Sequence, residues 1–128
     1  MLMRMKQSMA NQKGFTLMEL LVVIGIISIL ATIAVPKFAS AGDAARGAKM
    51  AADLRTIDSA VMILVAQGEV PDLDKVKLLM TTWPVPPSGN FSGPHHAAGT
   101  AVPGTVYTLG SSENNYRALC DTLKAEDI

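Results

Sequence analysis

The stretch KGFTLMELLVVIGIISILATIAVPKF, Lys13 to Phe38, decides how this chain is read. Between Glu19 and Lys37 it holds seventeen consecutive uncharged residues. About 20 apolar residues cross a bilayer as a helix, and counting from Phe15 reaches that length. Val22, Val23, Ile24, Ile26, Ile27, Ile29 and Ile33 are β-branched and would suit a strand. The run is too long for one strand, and lipid leaves helix as the solution for a single segment. Glu19 is out of place. It puts a carboxylate inside the apolar segment, where a charge is costly and by default marks a function with a partner.

The flanks add a direction. Arg4, Lys6 and Lys13 precede the apolar run with no acid among them. From Phe15 onward, eight Lys/Arg face eleven Asp/Glu. A positive segment followed by an apolar one is the polarity of an export signal or a first membrane anchor. Residues 1–14 read as a leader and 15–38 as the hydrophobic helix. Formal net charge is zero, so no global field points to nucleic acid. Hydrophobic residues make up 49% of the chain, but many of them fall in 15–38. The remaining ninety residues build a small core. Cys120 is the single cysteine. It excludes an intrachain disulfide, no Cys/His metal spacing exists, and it is expected to be buried without a partner.

Helical character continues over 39–67. Met50, Leu54, Ile57, Val61 and Leu64 recur every three or four residues, a narrow apolar seam on which a domain can pack. Lys49 and Asp53, four apart, suit a pair on a solvated face. Gly68 followed by Pro71 supplies a stop. One helix from about 15 to 67 is roughly 80 Å long, so half of it packs on something other than lipid. Pro36 removes the bond to Thr32 and favours a kink. Gly25, Gly42 and Gly47 weaken other turns, and a bent or locally melting helix is expected.

Residues 68–128 read as a small C-terminal globular domain. Asp72–Met80 suits a short helix. Residues 81–105, TTWPVPPSGNFSGPHHAAGTAVPGT, hold five prolines and four glycines. They read as loop, packed through Trp83, Val85 and Phe91. TVYTL, Thr105–Leu109, reads as a strand. In the tail, Tyr116, Leu119, Cys120 and Leu123 fit a helix face. Tyr116, Ala118, Cys120 and Thr122 alternate as in a strand. The favoured reading is a hairpin of 105–110 with 115–123 through Ser111–Asn114.

Catalytic groupings are not found: no Ser/His/Asp set in motif context, no phosphate loop and no carboxylate pair in an evident pocket. The expectation is a non-enzyme without cofactors. His95 and His96 are adjacent with no acid or cysteine within ten residues, and read as loop histidines rather than metal ligands. Asp72 and Asp74 precede a helix and suit its positive end. Aromatics are 5% of the chain, too few for a dense stacking surface for DNA or an electron path. Glu126 and Asp127 read as solvated.

Lys13-Gly14, then Phe15-Thr16-Leu17, then Glu19 four residues after Phe15, then an apolar run closed by Pro36-Lys37-Phe38, resembles the N-terminus of bacterial type IV pilins and type II secretion pseudopilins. The resemblance covers 26 residues. It implies an α+β, pilin-like fold, with a long kinked N-terminal helix packed on a small domain carrying a short antiparallel sheet or hairpin. It implies a cut by a prepilin peptidase between Gly14 and Phe15, with N-methylation of Phe15. Cutting before the apolar run keeps the anchor on the mature chain. An ordinary secretory signal is cut after its apolar region, for which Ser40-Ala41-Gly42 is the alternative site.

By the same resemblance, Glu19 meets the new amine of Phe15 on a neighbouring subunit, and Pro36 and Gly25 belong to the assembly helix. The alternative for Glu19 is a side chain snorkelling to the headgroups. The implied partners are further copies in a helical filament, prepilin peptidase, an inner-membrane assembly platform and, before assembly, the lipid bilayer. The implied place is the inner membrane, then a surface pilus or periplasmic pseudopilus. Major pseudopilins can bind calcium in a C-terminal loop, which makes Asp72 and Asp74, with Glu69, the calcium alternative. Many pilins close that loop with a disulfide, and one cysteine rules that out here. A pilus subunit, a secretion or DNA-uptake pseudopilin, a minor subunit and a membrane-anchored binding module that never polymerises all stay open. An intact Glu19 counts against the minor subunit. A secreted enzyme is a more distant reading.

Overall fold

The computed structural model describes residues 14–112 and 115–128. The leader residues 1–13, and Glu113 and Asn114 of the expected hairpin turn, lie outside the described residues. In chain order the elements are α1 (Leu17–Ala66), α2 (Leu73–Leu79), β1 (Asn90–Gly93), β2 (His96–Ala101), β3 (Tyr107–Ser112) and β4 (Asn115–Cys120). The chain divides between Val35 and Pro36 into two units.

α1 is helical through Gly25, Pro36, Gly42 and Gly47, so the expected local melting is not seen. Each weak position costs one link in a long ladder, and flanking turns propagate across it. The stop lies where Gly68 places it. Gly68 takes φ +78°, its N–H donates to the Val65 carbonyl, and the Glu69 N–H donates to the Leu64 carbonyl. Two last-turn carbonyls are thereby satisfied, and only glycine adopts that φ without strain.

The core of the second unit begins with the seam. Met50, Leu54 and Ile57 are 0% exposed, Val61 1% and Leu64 4%. Val76 from α2, Phe91 from β1, Tyr107 from β3, and Ala118 and Cys120 from β4 close over it, with Ala125 and Ile128. Trp83 packs at the margin, with the Lys77 ammonium 5.6 Å from its ring centroid, as a cation–π contact requires.

Two separate antiparallel hairpins, β1–β2 and β3–β4, cover this core. The second is regular, from Tyr107↔Cys120 to Ser112↔Asn115. It starts two residues later than expected, so Thr105 and Val106 lie outside it, and β4 ends at Cys120 rather than 123. Asp121 takes φ 57° and turns the chain there. The first hairpin corrects the reading of residues 81–105 as loop. Phe91 pairs with Thr100 and Asn90 with Ala101, with an irregularity before Gly93↔His96. His96 is therefore a strand residue, not a loop histidine, and its ring lies 5.1 Å from that of Phe91. Val85, expected to pack, is 64% exposed.

The hairpins are held by charged side chains of α1. Asp43 accepts a 2.8 Å bond from the Gly99 N–H and pairs with Arg46, whose Nε donates to the Asn90 carbonyl. Asp53 accepts the Tyr107 hydroxyl at 2.9 Å and Lys49 at 2.6 Å, while Lys49 also donates to the Val85 carbonyl at 2.9 Å. The Lys49–Asp53 pair is thus part of the packing, not only a solvated pair. Asp58 takes the Ala118 N–H at 2.7 Å, a bond on the edge of β4 that its partner strand leaves open, and Arg117 at 3.4 Å. A carboxylate on a backbone N–H is among the stronger hydrogen bonds, so both hairpins are tied to the helix.

Close approach does the rest. A Cβ on Gly47 would lie 2.0 Å from the Ser92 carbonyl oxygen, and one on Gly93 would lie 1.7 Å from that of Ile128. Both contacts are with backbone, so only glycine allows them.

Candidate processing and assembly site

The first unit is the N-terminal part of α1 and the residues before it. Gly14 and Phe15 precede the helix and are exposed, Phe15 at 87%. Among the described residues, nothing lies within 4 Å of where a Gly14 Cβ would be.

Thr16 and Glu19 then form a reciprocal pair. The Thr16 N–H and hydroxyl each donate to Glu19 Oε2 at 2.9 Å, and the Glu19 N–H donates to Thr16 Oγ1 at 3.2 Å. With α1 starting at Leu17, Thr16 is the N-cap and Glu19 the third helical residue. This is a capping box, in which two orphan donors of the first turn are satisfied at once. The positive end of the helix also favours the carboxylate there. Glu19 therefore has a local function before it meets any other chain. Thr16 was missing from the expected site residues, although T-x-x-E ahead of an apolar run signals it.

Beyond Glu19 the segment is apolar all round. Leu20, Val23, Ile26, Leu30 and Ile33 are between 47% and 61% exposed. Its hydroxyls are satisfied internally: Ser28 donates to the Ile24 carbonyl and Thr32 to that of Ile29. A helix that exposes apolar residues on every side and no free polar group suits lipid or a sheath of other helices. α1 is long and apolar enough to cross a membrane, and none of its most apolar window is buried. Gly25, an expected assembly position, has open space around it, and Pro36 is exposed.

The sequence comparisons agree with this geometry. Residues 9–35 match the family described as the prokaryotic N-terminal methylation motif. The chain is also 34% identical over 110 residues to the type IV narrow pilus major component PilA5 of Thermus thermophilus, covering 85% of this chain and 78% of that protein. The chain belongs to the family of type IV pilins and pseudopilins. This pilin-like structural subunit is also 41% identical over 66 residues to fimbrial protein EcpB of Eikenella corrodens, covering 52% of this chain and 42% of that one. It is 34% identical over 83 residues to the type II secretion system core protein G of Klebsiella michiganensis, covering 63% and 58%. The pilin thus spans less than two thirds of the Eikenella and Klebsiella proteins. No solved structure matches it at the same significance.

The remaining expected positions lie in the second unit. The seam residues Met50, Leu54, Ile57, Val61 and Leu64 line its core. Asp72 and Asp74 flank the start of α2 and Glu69 pairs with Lys75 at 2.7 Å. Among the described residues, no three His, Cys, Asp or Glu side chains converge as a metal site. Cys120 is buried and free, and burial pushes its thiol up, away from the reactive thiolate. Burial, and then the bond to Asp53, raise the Tyr107 phenol.

Proposed function

We propose that this pilin is stored in the inner membrane through residues 15–35, cut between Gly14 and Phe15 by a prepilin peptidase, and methylated on the Phe15 amine. It then polymerises into a helical filament through its N-terminal helix on an inner-membrane assembly platform. The observation that carries this is the uncovered apolar segment, headed by the Gly14–Phe15 bond and a lone carboxylate. Lipid covers that segment first and neighbouring helices cover it afterwards. Leaving lipid for helix brings no hydrophobic gain, because lipid is equally apolar, so packing and polar pairing drive the exchange.

Cleavage makes a new cation at Phe15. In this reading Glu19 of an incoming subunit meets that amine on a neighbour and sets the axial stagger. The capping box keeps the carboxylate satisfied until then. Processing and assembly are coupled, because the cation does not exist in the uncut chain. Neither step requires catalysis by the pilin.

Electron microscopy of sheared surface filaments, with mass spectrometry of their N-termini, tests the reading. Filaments whose subunits start at methylated Phe15 are the expected result. An uncut membrane protein with no filaments would overturn it. The similarity to the secretion protein favours one second reading, a periplasmic pseudopilus, which would show processed N-termini without surface filaments.

A further inference from the structure

Four charged residues of α1, Asp43, Arg46, Asp53 and Asp58, are committed to the hairpins, and Lys49 to Asp53 and the Val85 carbonyl. Arg55 differs. It is exposed, and among the described residues its guanidinium has no ion-pair partner. It stands on the rim of a groove of about 410 Å³ that also includes Ala44, Ala48, Ala51, Pro94 and Ile128. The helix wall of this groove is alanine, so no large side chain fills it. Gly47 and Gly93, which also line it, lie against backbone. It is an apolar slot with a cation at its edge.

The same chain carries a knob of matching chemistry. Leu78 on α2 is 86% exposed, the most exposed large hydrophobic residue between Pro36 and Ile128. Asp74, one helical turn before it, shares its face, is exposed, and among the described residues has no ion-pair partner. We propose that the groove receives the α2 face of a second copy, with Leu78 in the alanine slot and Asp74 against Arg55. The groove and α2 are different surfaces, so the contact is head-to-tail. Such a contact propagates along a filament when its rotation does not close a ring. The proposal rests on the filament reading above and assigns to it one contact between the soluble units. Burying Leu78 supplies area, and the charge pair supplies register.

Charge exchange in the full chain, expressed in cells with their assembly apparatus, tests it. Arg55→Glu and Asp74→Arg are each expected to lower the yield of sheared filaments about tenfold, as like charges meet across the interface. The double variant, with the charges exchanged, is expected to recover. Both sites are exposed, and because Asp74 lies in the first turn of α2, the membrane level and protease resistance of each variant are checked alongside filament yield. Ala48→Cys combined with Leu78→Cys is expected to give a ladder of cross-linked copies, while buried Cys120 stays silent. Single reversals with wild-type yield, a double variant no better than the worse single, or a cross-link to any other protein would overturn the contact. Glu19→Ala reports separately. If it abolishes filaments while the reversals have no effect, the filament reading stands and only this contact falls. A wild-type chain that forms no filaments removes both.

Discussion

Leu30 and Leu54 sit in the same helix, yet Leu30 is 61% exposed and Leu54 is 0% exposed. Around Leu30 every face of α1 is apolar, and among the described residues nothing covers it. Around Leu54 the apolar residues form one seam, and the flanking charges are directed onto the hairpins. In the proposed function, lipid and then other copies cover the first pattern. The second completes a core within one chain. Two repeats in one continuous helix thus separate what the subunit does alone from what it does in company.

That contrast can be broken in order of effect. Glu19→Ala should reduce filaments to near nothing while the membrane level of the pilin holds, read by microscopy and immunoblot. Normal filaments from that variant would sink the pairing of Glu19 with the Phe15 amine. Next is a matched leucine pair. Leu54→Ala is expected to destabilise the second unit by about 2–5 kcal/mol, the range for emptying a packed site. Leu30→Ala should leave the melting of that unit, followed by circular dichroism in detergent, unchanged. Equal shifts would mean that the two halves are not energetically distinct.

The glycines give a smaller, signed version. Gly47→Ala should cost about 1–3 kcal/mol, because the Ser92 backbone must move. Gly25→Ala meets open space and should make the helix more favourable by up to about 1 kcal/mol. Protease resistance of the full chain distinguishes them, and the same sign at both sites would contradict the packing at Gly47.

The smallest effect depends on pH. The Tyr107 phenol is raised in the folded state. Its contribution to stability is therefore present below the unfolded value of about 10 and is lost as pH rises from there toward the folded one. Tyr107→Phe should cost about 1 kcal/mol at neutral pH and flatten the alkaline fall. Cys120, also raised, adds a fall starting near pH 8.5 in both proteins. An unchanged alkaline slope in Tyr107→Phe would show that the Tyr107 phenol is not held in a buried site in solution.

Local signals account for what was legible. The apolar run, the seam from Met50 to Leu64, the stop at Gly68 and the short helix near Asp72 each depend on side chains close in sequence. Even the capping box was readable, since T-x-x-E is a four-residue pattern. The first hairpin was not. HAAGTA has weak strand preference, and prolines crowd its approach. It pairs because Asp43 and Arg46 hold Gly99 and Asn90 from more than forty residues away.

By itself, the sequence determined the long apolar segment, the cap formed by Thr16 and Glu19, and the face of α1 that packs. These follow from helical periodicity and from groups within one turn of each other. Only the tertiary structure decided why Gly47 and Gly93 are glycine, why three aspartates lie beside an apolar seam, and which charges have no ion-pair partner among the described residues. Those depend on distances between residues far apart in the chain. A glycine that weakens a turn and one that admits a strand look alike in sequence, and only the neighbour that arrives distinguishes them.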